Sequence, residues 1–97
     1  MYVIPAREQE MNQKHRKILK TIFKDPVQPN IRWNDIENLF IHLGADISEG
    51  RGSRVAIELN GAEAVFHRPH PSPETDKGSV KSVRRFLENA GIDHDEI

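Results

Sequence analysis

Apolar residues recur twice at helical spacing before they begin to alternate, and the order of those two rhythms sets the fold. Between Lys14 and Lys24, Ile18, Leu19, Ile22 and Phe23 share one arc of a helical wheel, and Lys14, Arg16, Lys17, Lys20 and Lys24 take the rest. Pro26 disfavours helical geometry at Asp25 and ends this helix, leaving Pro26 to Asn30 as a connector. A second helix is predicted from about Trp33 to Leu43. Ile36, Leu39, Phe40 and Leu43 form its core stripe, and Asp35 and Glu37 suit its N-terminal dipole. Gly44 stands where a left-handed stop belongs.

The rhythm then changes. Ala45 to Glu49 is a short strand candidate, and Gly50-Arg51-Gly52 is turn chemistry. From Arg54 to Leu59 the chain alternates, Asn60-Gly61 is a favoured two-residue hairpin turn, and Ala62 to His67 returns. A two-residue turn sets Val55 against Phe66, Ile57 against Ala64 and Leu59 against Ala62 on the buried side. On the open side it sets Arg54 against His67, Ala56 against Val65 and Glu58 against Glu63. A rigid loop, Arg68-Pro69-His70-Pro71-Ser72-Pro73, leads to a last helix capped by Thr75 or Asp76. Val80, Val83, Leu87 and Ala90 are its stripe, Phe86 lies beside it, and Gly91 is its end. The expectation is an α+β domain, a small three-stranded antiparallel sheet with helices on one face and the other face open. Residues 1–13 read as a polar tail, 14–92 as one domain and 93–97 as an acidic tail.

Composition narrows the chemistry. The 97 residues include no cysteine, which excludes a disulfide framework and a thiolate metal site. No apolar run approaches a membrane span and the first ten residues lack a signal-peptide core, so a cytoplasmic protein is expected. The net charge of −1 discourages nucleic-acid binding until its distribution is considered. Arg51, Arg54, Arg68, Lys77, Lys81, Arg84 and Arg85 gather in the hairpin and the last helix, and the acidic C-terminal end offsets them in the sum. If the helix start, the Arg68 loop and the turn before Arg54 meet at one end of the sheet, those cations suit phosphate; otherwise they are a solvated surface.

Gly50-x-Gly52 enters a strand and so cannot cradle phosphate as a loop before a helix does. Ser53 lacks the strand-to-helix elbow of a hydrolase nucleophile. His67 and His70 flank Arg68-Pro69, where an imidazole can take a proton from an RNA 2′-hydroxyl or return one to a leaving oxygen. The alternative is a His70 that only fixes its loop. Even with Glu74 and Asp76 nearby, the two histidines make a poor metal pattern, and neither metal nor cofactor is expected. His15, His42 and His94 read as incidental surface residues.

From about Trp33 to Ile92 the chain resembles the HicA (YcfA-like) toxin family of bacterial toxin–antitoxin systems. The features stand in order: Leu43-Gly44 closing an amphipathic helix, Gly52-Ser53 before the hairpin, Pro69-His70 after it, and Gly78-Ser79-Val80 opening a helix that ends Leu87-x-x-Ala90-Gly91-Ile92. The resemblance implies a fold like a double-stranded-RNA-binding domain, a ribosome-independent mRNA-cleaving ribonuclease, and neutralisation by a HicB-like antitoxin. The catalytic candidates are His70, in the Pro-His loop, and His67, which the hairpin register sets across from Arg54. Arg51, Ser53, Arg54, Arg68, Lys77, Lys81, Arg84 and Arg85 become the RNA-binding ones. One position departs from the pattern: the family's catalytic histidine follows Gly-Ser, where this chain has Arg54. A permanently charged guanidinium holds an anion but cannot act as a general base. A domain of the same fold that binds RNA or protein without cleaving is therefore the alternative. The basic first helix is a second departure.

Overall fold

The computed structural model describes residues 13–92; the readings made for the two chain ends and for His94 lie outside them. The elements are α1 (Gln13–Ile22), β1 (Ile31–Arg32), α2 (Trp33–His42), β2 (Asp46–Glu49), β3 (Arg54–Leu59), β4 (Ala62–His67), β5 (Glu74–Thr75) and α3 (Lys77–Asn89). The three-stranded antiparallel sheet has the order β2-β3-β4, and a separate two-stranded ladder joins β1 to β5. This is the expected α+β domain, with an N-terminal helix added to the helix–three strands–helix core.

Local chemistry accounts for most of these boundaries. Asn60 and Gly61 both adopt positive φ, 52° and 86°, which turns the hairpin in two residues. The pairing that results, from Arg54 with His67 to Leu59 with Ala62, is the one expected. Gly44 and Gly91, at φ 96° and 78°, stop α2 and α3. In each case the next amide donates back into the helix, Ala45 N to the Phe40 carbonyl and Ile92 N to the Leu87 carbonyl, both at 2.9 Å. Asp76 rather than Thr75 caps α3, its Oδ1 accepting from the Ser79 amide at 2.7 Å. That bond holds the Asp76 carboxyl below its ordinary range. α1 ends at Ile22, so Lys24 lies beyond the helix.

The core lies between the inner face of the sheet and the helices. Val55, Ile57, Leu59 and Phe66 pack there against Ile36, Leu39 and Phe40 of α2 and Val80, Val83, Phe86 and Leu87 of α3. Its centre is aromatic: Phe40 and Phe86 meet edge to face at 5.4 Å, and Phe66 lies 5.8 Å from Phe86 and 5.9 Å from Phe40. α1 adds Leu19 and Ile22, both fully buried, on the α2 and α3 side.

Three regions differ from expectation. The stretches before α2 and after β4 include paired strands, with Ile31 opposite Thr75 and Arg32 opposite Glu74. Asn30 N and Trp33 N extend that pairing to the Thr75 and Pro73 carbonyls, at 2.9 and 3.0 Å. His15 and His42 are half-buried rather than incidental. Their rings lie 4.2 Å apart and help join α1 to α2. Burial, then the neighbouring His42 and Lys14, lowers the His15 pKa against the pull of Asp35. Finally, the Asn60 side chain donates to the Ala90 carbonyl at 2.9 Å, so the hairpin turn also caps the end of α3.

Candidate functional site

Because β3 is central, its outward residues have neighbours on both sides, and the open face of the sheet is a grid. Asp46, Glu58 and Glu63 form the row nearest the Asn60 turn. Ser48, Ala56 and Val65 form the middle row, where Val65 is 62% exposed. Arg54 and His67 stand opposite each other at the far end, beside the Gly50 turn. One face is thus acidic at one end, small and neutral across its waist, and basic at the other. Side chains directly opposite in an antiparallel pair stand roughly 5 Å apart at Cβ, so the exposed Arg54 and His67 can address one group together.

The turn at the basic end is tightly built. Gly50 N donates to the Arg54 carbonyl at 2.9 Å, and Arg54 N to the Arg51 carbonyl at 3.1 Å. A Cβ at Gly50 would meet the Arg54 Cβ at 3.1 Å, so a side chain there would crowd the turn by a few tenths of an ångström. Arg51 and Ser53 are exposed on this turn, and the Ser53 carbonyl accepts from Arg68 N at 2.9 Å. The loop carrying His70 therefore leaves the sheet beside Ser53. His70 is exposed within it.

The basic cluster read from sequence divides in two. Arg68 is held on both sides. Its Nε and Nη2 donate to Glu37 at 2.6 and 3.1 Å, and its Nη1 and Nη2 to Glu49 at 2.6 and 2.8 Å. Two carboxylate forks on one guanidinium raise its pKa further and hold the Glu49 carboxyl below its ordinary range. The Trp33 indole N–H also donates to Glu37, which ties this network to the aromatic core. Arg84 is likewise engaged. Its Nε donates to the Ile22 carbonyl at 2.9 Å and its Nη2 to the Lys24 carbonyl at 2.8 Å, and its Nη1 meets Asp25 at 3.1 Å. It is the C-terminal cap of α1.

Lys77, Lys81 and Arg85 remain exposed. The Asn60–Ala90 bond puts the end of α3 at the hairpin turn, so Lys77, at its start, lies at the end away from that turn. Lys81, Ser82 and Arg85 of α3 share a groove with Glu63, Ala64 and Phe66 of β4. The structure thus joins Arg51, Ser53, Arg54 and His67 at one end of the sheet, with the His70 loop leaving beside them. It commits Arg68 and Arg84 to the fold and places Lys81 and Arg85 along the neighbouring edge.

Sequence reasoning missed Glu37 and Glu49, the residues that decide what Arg68 does. Glu37 sits i+4 from Trp33 on one helix face, a readable signal, but nothing in the spacing links either carboxylate to Arg68. Among the described residues, no group of three or more His, Cys, Asp or Glu side chains is placed to hold a metal ion, and no helix is long and apolar enough to cross a membrane.

No curated protein and no solved structure matches the chain significantly. Residues 33–92 match the family described as the HicA toxin of bacterial toxin–antitoxin. That stretch runs from the first residue of α2 to the residue that closes the cap of α3, and it contains the whole sheet. Over most of its length, then, the chain belongs to the HicA family of toxins of bacterial toxin–antitoxin systems.

Proposed function

We propose that this protein is a toxin that binds messenger RNA at the basic end of its open sheet face and cleaves it, and that a HicB-like antitoxin restrains it. The observation that carries the reading is the Arg54–His67 pair, exposed and directly opposed in the sheet of a HicA-family domain. Arg54 holds the scissile phosphate and stabilises the charge that grows on it. His67 or His70 removes the proton from the 2′-hydroxyl as that oxygen attacks phosphorus, and the other returns a proton to the departing 5′-oxygen. The O2′–P bond forms as the P–O5′ bond breaks, giving a 2′,3′-cyclic phosphate and a free 5′-hydroxyl. Arg51 and Ser53 on the adjoining turn, with Lys77, Lys81 and Arg85 along the edge, supply contacts to flanking phosphates. Arg68 acts by fixing the strand exit from which both histidines project.

The test is purified protein incubated with messenger RNA, its products resolved by length and end chemistry, alongside growth after induced expression. Cleavage and growth arrest that both disappear in His67→Ala or His70→Ala support the reading. RNA bound but left intact by wild-type protein supports the second reading, binding without cleavage. Arg54 favours that alternative, since it stands where the family pattern has its histidine.

A further inference from the structure

The element outside the family match carries the strongest charge in the described chain. From Gln13 to Lys24 there are five basic residues and no acidic one, whereas residues 33–92 hold seven basic and nine acidic residues. The matched segment alone is therefore net negative, a poor start for approaching a polyanion. Two of its seven cations, Arg68 and Arg84, are moreover bound internally.

α1 buries Leu19 and Ile22 and turns Arg16, Lys17, Lys20 and the adjoining Lys24 to solvent along one shallow depression that Thr21 and Gln13 also line. Lys14 pairs with Asp35 at 3.3 Å, while the other four have no carboxylate within ion-pair distance among the described residues. Arg16 and Lys20 are one helical turn apart and Lys24 follows just past the end of α1, so like charges repel along the row. The first turn has no carboxylate to suit the helix dipole, which makes the cations there unfavourable as well. A helix needed only to cover the core has no use for this pattern. α1 packs on α2 and α3, so its outer arc lies apart from the open face that carries Arg54 and His67.

We propose that the outer arc of α1, with Lys24, is a second phosphate-binding surface that grips the backbone of long RNA away from the site where Arg54 and His67 act. The inference rests on the RNA reading above and adds a tether to it. A short oligonucleotide fills only one surface, whereas a long RNA can occupy both and gains from effective concentration. The helical part of the row, from Arg16 to Ile22, spans about 9 Å, with Lys24 just beyond it, room for two or three successive phosphates.

The test is RNA binding by the full chain at several salt concentrations, comparing wild type with the exposed quadruple variant Arg16→Gln/Lys17→Gln/Lys20→Gln/Lys24→Gln. Thermal melts confirm that the variant is folded, and an Arg16→Lys variant controls for substitution without charge loss. For an RNA of some sixty nucleotides we expect a loss of about tenfold or more near 0.1 M salt, and a log–log salt slope shallower by roughly 3. For an octamer we expect little change. Equal affinities and slopes for variant and wild type on long RNA overturn the tether and leave the RNA reading intact. A wild type without affinity for any RNA overturns both. Salt-sensitive binding by α1 to anionic phospholipid vesicles, with none to RNA, overturns it in favour of a membrane surface.

Discussion

Arginine is used in opposite ways at two neighbouring places in this molecule. Where β4 leaves the sheet, Arg68 is clasped by Glu37 from α2 and Glu49 from β2. At the paired end of the same hairpin, Arg54 projects from the open face with His67 opposite it and no carboxylate in its row. The difference lies in what the tertiary fold brings near each guanidinium, for both residues are arginines at strand ends. A forked ion pair joined to an indole is part of the scaffold. A guanidinium left in water beside an imidazole is available to a ligand.

Substitutions can break this comparison, and the largest effect belongs at the clasp. Arg68→Ala is expected to lower stability by about 2–3 kcal/mol in chemical denaturation, because Glu37, only 15% exposed, loses its counter-charge. Arg68→Lys restores less than half, since an ammonium cannot fork to two carboxylates. Arg84→Ala follows at about 1–2 kcal/mol, through the lost cap of α1, and amide exchange should quicken in α1 before it does in the sheet.

Acid probes the same contrast. Arg68 holds the Glu49 carboxyl below its ordinary range, so this pair contributes fully above that range and fades as pH falls through the lowered value. Wild-type stability should accordingly fall on acidification more steeply than that of Arg68→Gln. His15 adds a milder fall at higher pH. Its lowered pKa gives stability that is present above the ordinary imidazole range and is eroded as pH drops through it, and this should loosen α1 first. The smallest effect is expected at Arg54. Arg54→Gln should change stability by under about 0.5 kcal/mol while weakening RNA binding. A thermodynamic cost at Arg54 equal to that at Arg68 would erase the distinction between them.

What could be read from the sequence was local. Asn60-Gly61 fixes the hairpin because two adjacent residues at positive φ leave one compatible turn, and the register of twelve residues follows from that dipeptide. Gly44 and Gly91 mark helix ends for the same conformational reason, and Asp76 caps by a bond three residues long. The open-face meeting of Arg54 with His67 was legible because it is a corollary of the turn. The acidic row was half legible, since Asp46 joins it through β2, whose register no short turn announces. The clasp of Arg68 was hidden, because its partners lie 31 and 19 positions away and only the packed fold brings them together. The two-residue strands β1 and β5 were hidden as well, being too short to show alternation.

That small ladder also bears on where the folding unit begins. The family match starts at Trp33, yet the backbone just before it is built into the domain. Ile31 is buried, Asn30 and Trp33 donate to the carbonyls of Thr75 and Pro73, and Ile31 and Arg32 are the antiparallel partners of Thr75 and Glu74. A chain cut at Trp33 would keep every residue of the family pattern and still leave the strand before α3 without a partner. It would also release one of the two anchors of the segment that carries His70. The boundary of evolutionary likeness and the boundary of mechanical closure are different lines in this protein, and the second falls at or before Asn30.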